Sequence, residues 1–129
     1  MKNPTPRVLV VGEASPFGSV FAQLQSSGQF HFDYAADLAE LRATRRHERP
    51  NVILLALPHE RSAAEGALSW LELLKQRAAV VVIGCREEMY FYLASMERGA
   101  FDYFTSHTPL PEVVRVLENA ATAFDRQAA

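Results

Sequence analysis

The sequence predicts an α/β protein built on a doubly wound, five-stranded parallel sheet, and three observations support this prediction. Apolar runs of strand length alternate along the 129 residues with stretches of helical periodicity. Two of these runs, NVILLAL at 51–57 and AVVVIGC at 79–85, are apolar almost throughout, as central strands covered on both faces are. No repeat, linker or low-complexity tract interrupts the alternation. We therefore expect one domain over residues 1–129, with a core over about 7–119 and a C-terminal helical extension or linker over 120–129.

Strand and helix signals divide the chain into five β–α units. The predicted strands are RVLVV, FHFDY, NVILLAL, AVVVIGC and AFDYFTS, at 7–11, 30–34, 51–57, 79–85 and 100–106. The predicted helices lie at 17–25, 38–48, 62–77, 87–99 and 111–128. Strands that alternate with helices imply parallel pairing through right-handed crossovers, with helices on both faces of the sheet. Five units in this length favour a flavodoxin-like sheet with the strand order 2-1-3-4-5.

Capping residues, prolines and glycines predict where the helices begin and end. The predicted starts are Ser15-Pro16, Asp37 with Glu40, Ser62 with Glu65, and Pro111. The predicted ends are Gly28, Pro50 and Gly99. Apolar residues at helical spacing predict the inward faces, which are Phe17, Val20, Phe21 and Leu24 in the first helix; Ala64, Leu68, Leu71 and Leu74 or Lys75 in the third; Met89, Leu93 and Met96 in the fourth; and Val113, Val116, Leu117 and Ala120 in the fifth.

Composition and charge exclude several classes of protein. Hydrophobic residues make up 49% and charged residues 22%, which is ordinary for a globular chain. The formal net charge of −2 argues against direct nucleic-acid binding, and the arginine-rich stretch 42–49 is interpreted as a solvated helix face because acids are interspersed with it. Cys85 is the one cysteine, so an internal disulfide is excluded and a reducing, cytoplasmic setting is expected. We expect no signal peptide and no membrane span.

A sheet of this kind places its functional site at the carboxyl ends of the strands. The residues there are Gly12-Glu13, Ala56-Leu57-Pro58, Gly84-Cys85 and Thr105-Ser106. A dinucleotide fingerprint is incomplete, because the second and third glycine positions hold Ala14 and Phe17. No Gly-Lys-Ser/Thr follows, which excludes a P-loop. We therefore interpret Gly12 and Gly18 as turn and packing residues.

A metal site at this edge of the sheet is a weaker hypothesis. His59 and His107, with Glu13 or Glu60, would supply ligands that Zn²⁺ accepts. None of them has an obvious partner at ligand spacing, so we expect no metal ligands among these residues. For Cys85, a buried and inert thiol is the expected state.

The order of the strand-end residues resembles the receiver domain of bacterial two-component response regulators. The matching segments are RVLVV, PNVILLALP, AVVVIG and RGAFDYFTS, and the resemblance extends from Arg7 to about Glu118. The block Gly99-Ala100-x-Asp102-Tyr103 is its most specific part. The resemblance implies a CheY-like fold and a role in signal transduction or a phosphorelay rather than enzymatic catalysis, and we expect no catalytic residue.

The receiver site needs five groups, and this sequence departs from that pattern. In the family, two acids hold Mg²⁺, an aspartate accepts phosphate, a Ser or Thr binds the phosphoryl group, and a Lys neutralises it. By resemblance these positions fall on Gly12 and Glu13, Ala56, Gly84, and Ser106. Alanine has no oxygen that could form an acyl phosphate, and one carboxylate makes a poor Mg²⁺ site. The resemblance is therefore to a degenerate receiver, a pseudo-receiver with no phosphoacceptor and no expected cofactor, Mg²⁺ included.

The remaining functional surface is expected to be a protein interface. Receivers signal through the face formed by the fourth helix, the fifth strand and the fifth helix, and Tyr103 matches the family's switch aromatic. Further interface candidates, which include aromatic residues of the kind that interfaces favour, are Tyr90, Phe91, Ala94 and Phe101. Alternatively, Tyr90 or Phe91 folds back over the site and fills the room left at Ala56 and Gly84.

Two functions remain open from the sequence. The first is a phosphorylation-independent receiver that acts in signal transduction or transcription regulation, through a homodimer or a protein partner, as the regulatory part of a longer protein with an output domain. The second is a flavodoxin-like small-ligand or nucleotide-binding protein, or an enzyme, that uses the strand-end crevice. A crevice closed by Leu57, Met89 and aromatics would favour the first, and an open one with convergent N–H donors would favour the second.

Overall fold

A computed structural model describes residues 5–43, 49–85 and 88–128, with side chains described as far as residue 123. The strands are β1 Arg7–Gly12, β2 His31–Ala35, β3 Val52–Ala56, β4 Ala79–Gly84 and β5 Asp102–Thr105. The helices are α1 Gly18–Ser26, α2 Leu38–Ala43, α3 Arg61–Leu68, α4 Leu71–Leu74, α5 Met89–Glu97 and α6 Leu110–Ala128, and a 3₁₀ turn at Ser15–Phe17 precedes α1. None of the helices within these ranges has both the length and the apolar character needed to cross a lipid bilayer.

The five strands form one parallel sheet in the order β2-β1-β3-β4-β5, which confirms the predicted fold class. The central strand β3 is buried at every residue. The register places Gly12 beside Ala56, and Ala56 beside Ile83. Gly84 lies beside Thr105 at the end of β5. The carboxyl ends of β1, β3, β4 and β5 therefore meet at one edge of the sheet, as predicted.

Helices cover both faces of the sheet and enclose two apolar cores. The first core joins the sheet to α2, α3, α4 and α5, and its helical members include Leu41, Ala64, Leu68, Leu71, Leu74 and Phe91. The second core joins the sheet to the 3₁₀ turn, α1 and α6 through Phe17, Phe21, Leu24, Val113, Val116, Leu117 and Ala120. Because successive strand residues point to opposite faces, each buried strand contributes to both cores. The predicted inward faces of the first, third and last helices are confirmed.

The helix predicted over 62–77 is in fact two helices. A turn at Ser69 and Trp70 separates α3 from α4. The start of α3 also differs, because its N-cap is Glu60. The Glu60 carboxylate accepts hydrogen bonds from the backbone N–H groups of Ser62 at 3.0 Å and Ala63 at 2.7 Å. The predicted capping box of Ser62 with Glu65 is therefore wrong, since Glu60, two positions before Ser62, is the N-cap and accepts the Ser62 N–H that Glu65 was expected to accept.

The other predicted helix starts differ in outcome. The Asp37–Glu40 box is confirmed, because Asp37 Oδ1 accepts the Glu40 N–H at 2.8 Å and the Glu40 carboxylate accepts the Ala36 N–H at 3.1 Å. Ser15 is not an N-cap, since it lies inside the 3₁₀ turn and makes no capping hydrogen bond there. The predicted second helix is seen as α2 only, and its arginine-rich continuation at 44–48 lies outside the described residues.

The face of α5 that packs on the sheet differs from the predicted one. Phe91 and Ser95 are buried, whereas Met89 and Leu93 are 67% and 49% exposed. The prediction that Met89 and Leu93 face the core is wrong, and Met96 is only partly buried. The physical reason is that α5 is apolar nearly all the way round, so periodicity does not distinguish its inner face from its outer face. The helix begins at Met89, after an extended Glu88.

We expect Leu54→Ala to lower the free energy of unfolding by about 2–5 kcal/mol, because Leu54 is fully buried in the central strand and its truncation leaves a cavity. Urea denaturation followed by far-UV circular dichroism measures the change. The control is Leu73→Ala, at a position that is 47% exposed on α4, where we expect a change within about 0.5 kcal/mol. Equal losses in the two variants would contradict the assignment of β3 to the core.

Candidate functional site

At the end of β1, Gly12 lies against the main chain of β3. Its φ is +117°, a conformation that L side chains rarely adopt. A Cβ atom placed on Gly12 would lie 2.3 Å from the carbonyl oxygen of Ala56. A side chain of any kind at this position therefore needs the main chain to move. Gly12 is confirmed as a turn residue, whereas Gly18 has open space around it and serves no packing role.

The two neighbouring positions supply little that could bind a metal or a phosphate. Glu13 is exposed, and its carboxylate accepts a long hydrogen bond of 3.4 Å from the Ser15 hydroxyl. Ala56 is fully buried in the core that α1 and α6 cover. Magnesium is usually bound through carboxylates and substrate phosphates. One exposed carboxylate beside a buried methyl group and a glycine that excludes side chains does not fit the magnesium site of the receiver family.

The hypothetical zinc ligands are not brought together. Within residues 5–43, 49–85 and 88–128, no group of three or more His, Cys, Asp and Glu side chains could hold a metal ion. Glu60, one of the candidates, has the structural role of capping α3. His59 and His107 are exposed.

The ring of Tyr103 occupies the place where a side chain at residue 84 would lie. A Cβ atom built on Gly84 would be 2.2 Å from the Tyr103 Oη atom and 2.9 Å from its Cζ atom. On its other side, the ring meets Tyr92 of α5 edge-on, with ring centroids 6.3 Å apart and planes at 89°. The position that the resemblance assigns to the phosphate-binding hydroxyl is thus filled by the aromatic residue that the resemblance assigns to the switch.

A small cavity of about 10 Å³, roughly enough for one water molecule, lies beside Gly84 and Tyr103, and we call it the crevice. Its lining residues are Leu57, Pro58, His59, Ala64, Gly84, Cys85, Phe91 and Tyr103. Phe91 is 3% exposed and belongs to the first core. Phe91 therefore lies over the Gly84 part of the site, as in the alternative in which it folds back, but it does not fill room at Ala56, which packs in the second core. Met89, which was expected to help close the crevice, does not line it.

Burial raises the pKa of Tyr103 to about 12, from an ordinary value of 10.0, and the negative charges of Cys85 and Glu88 add to the shift. The cause is that burial disfavours the charged phenolate. The hydroxyl of Tyr103 therefore stays protonated far into the alkaline range. Cys85 is half-buried in the same lining.

A cluster around Arg61 joins the first turn of α3 to the first turn of α5. The Arg61 guanidinium carbon lies 5.0 Å from the ring centroid of Tyr90 and 5.9 Å from that of Phe91, within cation–π range. Arg61 also pairs with Glu65 at 4.0 Å and with Glu88 at 3.9 Å. The Tyr90 hydroxyl donates to Glu65 Oε1 at 2.9 Å, and this hydrogen bond raises the pKa of Tyr90. The cluster holds α5 beside the closed crevice.

Ser106, the position of the receiver lysine, follows Thr105, which is the register partner of Gly84. The turn that contains Ser106 is closed by its own side chains, since Thr105 Oγ1 accepts the His107 N–H at 3.3 Å and Thr108 Oγ1 accepts the Thr105 N–H at 3.2 Å. Ser106 lines a separate cleft of about 300 Å³ between α1 and the start of α6. Gly84 and Ser106 therefore line different cavities.

The interface candidates are placed unequally. Tyr90 and Phe101 are 47% and 38% exposed, Ala94 is partly buried against the first core, and Phe91 is buried. Sequence reasoning missed three exposed apolar residues of α5, which are Met89, Tyr92 and Leu93. The signal that could have found them is the composition of α5, because a helix that is apolar on all sides and lies at the surface must leave part of that surface uncovered.

Known proteins resemble this chain in fold. No protein-family model and no curated protein matches the sequence. A response regulator from Thermotoga maritima is similar in structure with a TM-score of 0.72 at 19% identity, over 92% of this chain and 99% of that chain. FixJ-N is similar with a TM-score of 0.71 at 20% identity, over 95% of this chain and 96% of that chain. The BeF3-activated N-terminal receiver domain of Klebsiella pneumoniae RstA is similar with a TM-score of 0.70 at 16% identity, over 89% of this chain and 97% of that chain. The chain therefore has the CheY-like fold of receiver domains.

We expect Gly84→Ala to destabilise the protein by about 1–3 kcal/mol, because the new methyl group overlaps the Tyr103 ring. In a Tyr103→Ala background the same substitution should be neutral or slightly stabilising, since alanine is favoured over glycine in a strand. Urea denaturation of the double-mutant cycle measures the coupling. Gly66→Ala, at a position with open space in α3, serves as the control and should have the same effect in both backgrounds. An unchanged cost of Gly84→Ala after removal of the ring would refute the contact.

Tyr103 should make the protein less stable as the pH rises from about 10 to about 12. The unfolded chain loses the phenolic proton near pH 10, whereas the folded chain keeps it to about pH 12, so deprotonation favours unfolding across this window. Urea denaturation at pH 8 to 11.5 measures the slope. We expect the free energy of unfolding to fall less steeply with pH for Tyr103→Phe than for the natural chain. Identical slopes in the two proteins would contradict the raised pKa of Tyr103.

Proposed function

We propose that this chain is a receiver-like signalling module that works without phosphorylation, by association with other proteins. The observation that carries the proposal is the Tyr103 ring in the place of a side chain at residue 84, next to a strand end that has Ala56 at the acceptor position. The receiver pattern needs a hydroxyl side chain at this point to bind the phosphoryl group. Here the place of that side chain is taken by the protein's own aromatic residue.

The chemistry of the strand ends supports loss of phosphoryl transfer. Ala56 offers no oxygen that could be phosphorylated, and Gly12 touches the main chain so closely that a second metal-binding acid has no room. The lysine position holds Ser106 in a self-closed turn, so no cation would neutralise a bound phosphate there. We accordingly assign no enzymatic activity and no Mg²⁺ requirement to this module.

The surface on which association would occur is formed by α5, β5 and α6, and we call it the α5–β5–α6 face. It corresponds to the signalling face of receivers. Because the third predicted helix is split into α3 and α4, the fourth and fifth helices of the receiver pattern are α5 and α6 here. Met89, Tyr92 and Leu93 leave apolar surface exposed on it. Exposed apolar patches on a small domain are typical of protein interfaces. The partner would be a second copy, another protein or an output domain in a longer protein, in a cytoplasmic pathway of signal transduction or transcription regulation and without direct nucleic-acid or membrane contact.

Constitutive action follows from the same contact. Tyr103 is held between Gly84 and Tyr92, so its ring has one favoured position whether or not a signal is present. Phe91 and the Arg61 cluster hold α5 in place above the crevice. The α5–β5–α6 face would then be presented in one conformation, and regulation would come from the availability of the partner.

A ligand-binding function is the second candidate, because the cleft beside Ser106 remains open. Its volume of about 300 Å³ lies at the lower end of the range for small-molecule sites. Ser19, Gln23, His107 and Thr108 give it hydrogen-bonding groups. The small cavity beside Gly84 favours the signalling module over this alternative, since the ligand would have to avoid the usual crevice.

We expect Mg²⁺ with beryllofluoride, a phosphoryl analogue, to leave the amide resonances of Gly12, Glu13, Ala56 and Ser106 unchanged. The reason is that neither a carboxylate pair nor an acceptor is present to hold the analogue. ¹H–¹⁵N correlation spectra of the full chain with and without the reagents make the measurement.

The same spectra separate the competing functions. Saturable shifts at the four amides with Mg²⁺ and beryllofluoride would overturn phosphorylation independence. A panel of nucleotides is titrated next, and shifts confined to Ser106 and His107 would promote the ligand-binding candidate. If neither titration produces saturable shifts, the signalling module is favoured and the next experiment is a search for protein partners.

A further inference from the structure

A groove of about 360 Å³ lies on the α5–β5–α6 face. Apolar and aromatic residues make up half of the ten residues that line it, and they are Met89, Tyr92, Tyr103, Phe104 and Val116. The charged residues in the lining are all acidic, and they are Glu88, Asp102 and Glu112. No lysine, arginine or histidine is among the described residues that line it. The groove thus combines an apolar interior with a negative rim.

Apolar surface continues from the groove onto the outer side of α5. Met89 is 67% exposed, Leu93 is 49% exposed and Tyr92 is 39% exposed. Residues four apart lie on the same side of a helix, so Met89 and Leu93 extend the groove wall along the helix axis. A helical partner with an apolar face would bury this surface together with the groove.

Two of the three rim acids pair with arginines of the chain, since Glu88 lies 3.9 Å from Arg61 and Glu112 lies 3.8 Å from Arg115. Such exposed pairs contribute little to stability. Asp102 accepts the N–H of Tyr103 at 2.8 Å, which fixes its carboxylate at the groove. The carboxylates of Asp102 and Glu112 therefore offer acceptors at the groove to a cationic partner.

We propose that this groove binds an amphipathic helix of a partner protein, with the helix's apolar side on Met89, Tyr92 and Val116 and its lysine or arginine residues against the acidic rim. The inference rests on the proposed function and names the chemistry of the partner. A helix is favoured over an added strand, because β5 is only four residues long and carries Asp102, features that oppose strand addition at an edge. Helix-in-groove binding uses apolar anchors at i, i+3, i+4 and i+7.

A second copy of this chain fits the groove less well. A twofold dimer brings the same surface of both copies together. The rims formed by Glu88, Asp102 and Glu112 would then face each other, and like charges across an interface are unfavourable. The formal net charge of −2 adds to this repulsion. A basic partner gains from the same charges.

The test uses the full chain and a dye-labelled synthetic helix of leucine and lysine, with leucines at i, i+3, i+4 and i+7. Two matched peptides serve as controls, one with glutamate in place of lysine and one with the first peptide's composition in scrambled order. Fluorescence anisotropy gives the affinities, and ¹H–¹⁵N spectra locate the contact. We expect the lysine peptide to shift the amide resonances of Met89, Tyr92, Asp102 and Val116. We expect the glutamate peptide to bind more than about tenfold more weakly than the lysine peptide.

Variants separate the charge from the apolar contact. The double variant Asp102→Asn with Glu112→Gln should lower the affinity for the lysine peptide by about 3- to 10-fold at low salt. The reason is that two charge pairs between the groove and the peptide are lost. Glu118→Gln, an exposed acid of α6 outside the groove, is the matched control and should have no effect. Met89→Ser should also weaken binding, whereas Leu73→Ser, an exposed leucine on α4, should not.

Each outcome decides one of the two proposals. Equal binding of the lysine and glutamate peptides, or of the scrambled peptide, overturns the basic-helix inference and leaves the face as an interface. A concentration-dependent dimer in light scattering, with shifts at Met89 and Leu93 and no peptide binding, also overturns it in favour of a second copy. No association at this face together with saturable beryllofluoride shifts at Glu13 and Ala56 overturns the proposed function itself.

Discussion

The contact between Gly84 and Tyr103 is the constraint on which the rest of this edge of the sheet depends. Because residue 84 has no side chain, the ring from β5 reaches across to the end of β4 and occupies the room above it. The ring then supports Tyr92, and Phe91 completes the lining. The small size of the crevice and the raised pKa of the partly buried Tyr103 hydroxyl are both consistent with this placement of the ring.

The two faces of the sheet differ in how they are packed and exposed. The side covered by α1 and α6 is an ordinary core, in which Ala56 packs as a small apolar residue. The side covered by α3, α4 and α5 combines the filled crevice with exposed apolar surface on the outer half of α5. The same helix therefore lines the small cavity beside Gly84 and presents the exposed apolar surface.

Much of the fold could be predicted from the sequence, and the failures have physical causes. β3 and β4 are nearly all apolar, so their positions were predicted correctly. α6 has one apolar side, so the prediction of its inner face was also correct. α5 has apolar residues on every side, and its inner face depends on the pocket that Phe91 fills rather than on spacing. The filling of the crevice by Tyr103 was beyond sequence reasoning, because its register partner on β4 is Val82 and its ring reaches past that residue to Gly84.

The close approach of Gly12 to the Ala56 carbonyl also limits what a substitution alone could install at this strand end. An aspartate placed at residue 56 would have the single carboxylate of Glu13 beside it, and a carboxylate at residue 12 would collide with the main chain. Redesign of this edge as an ion-binding site is therefore a problem of the backbone before it is a problem of side chains.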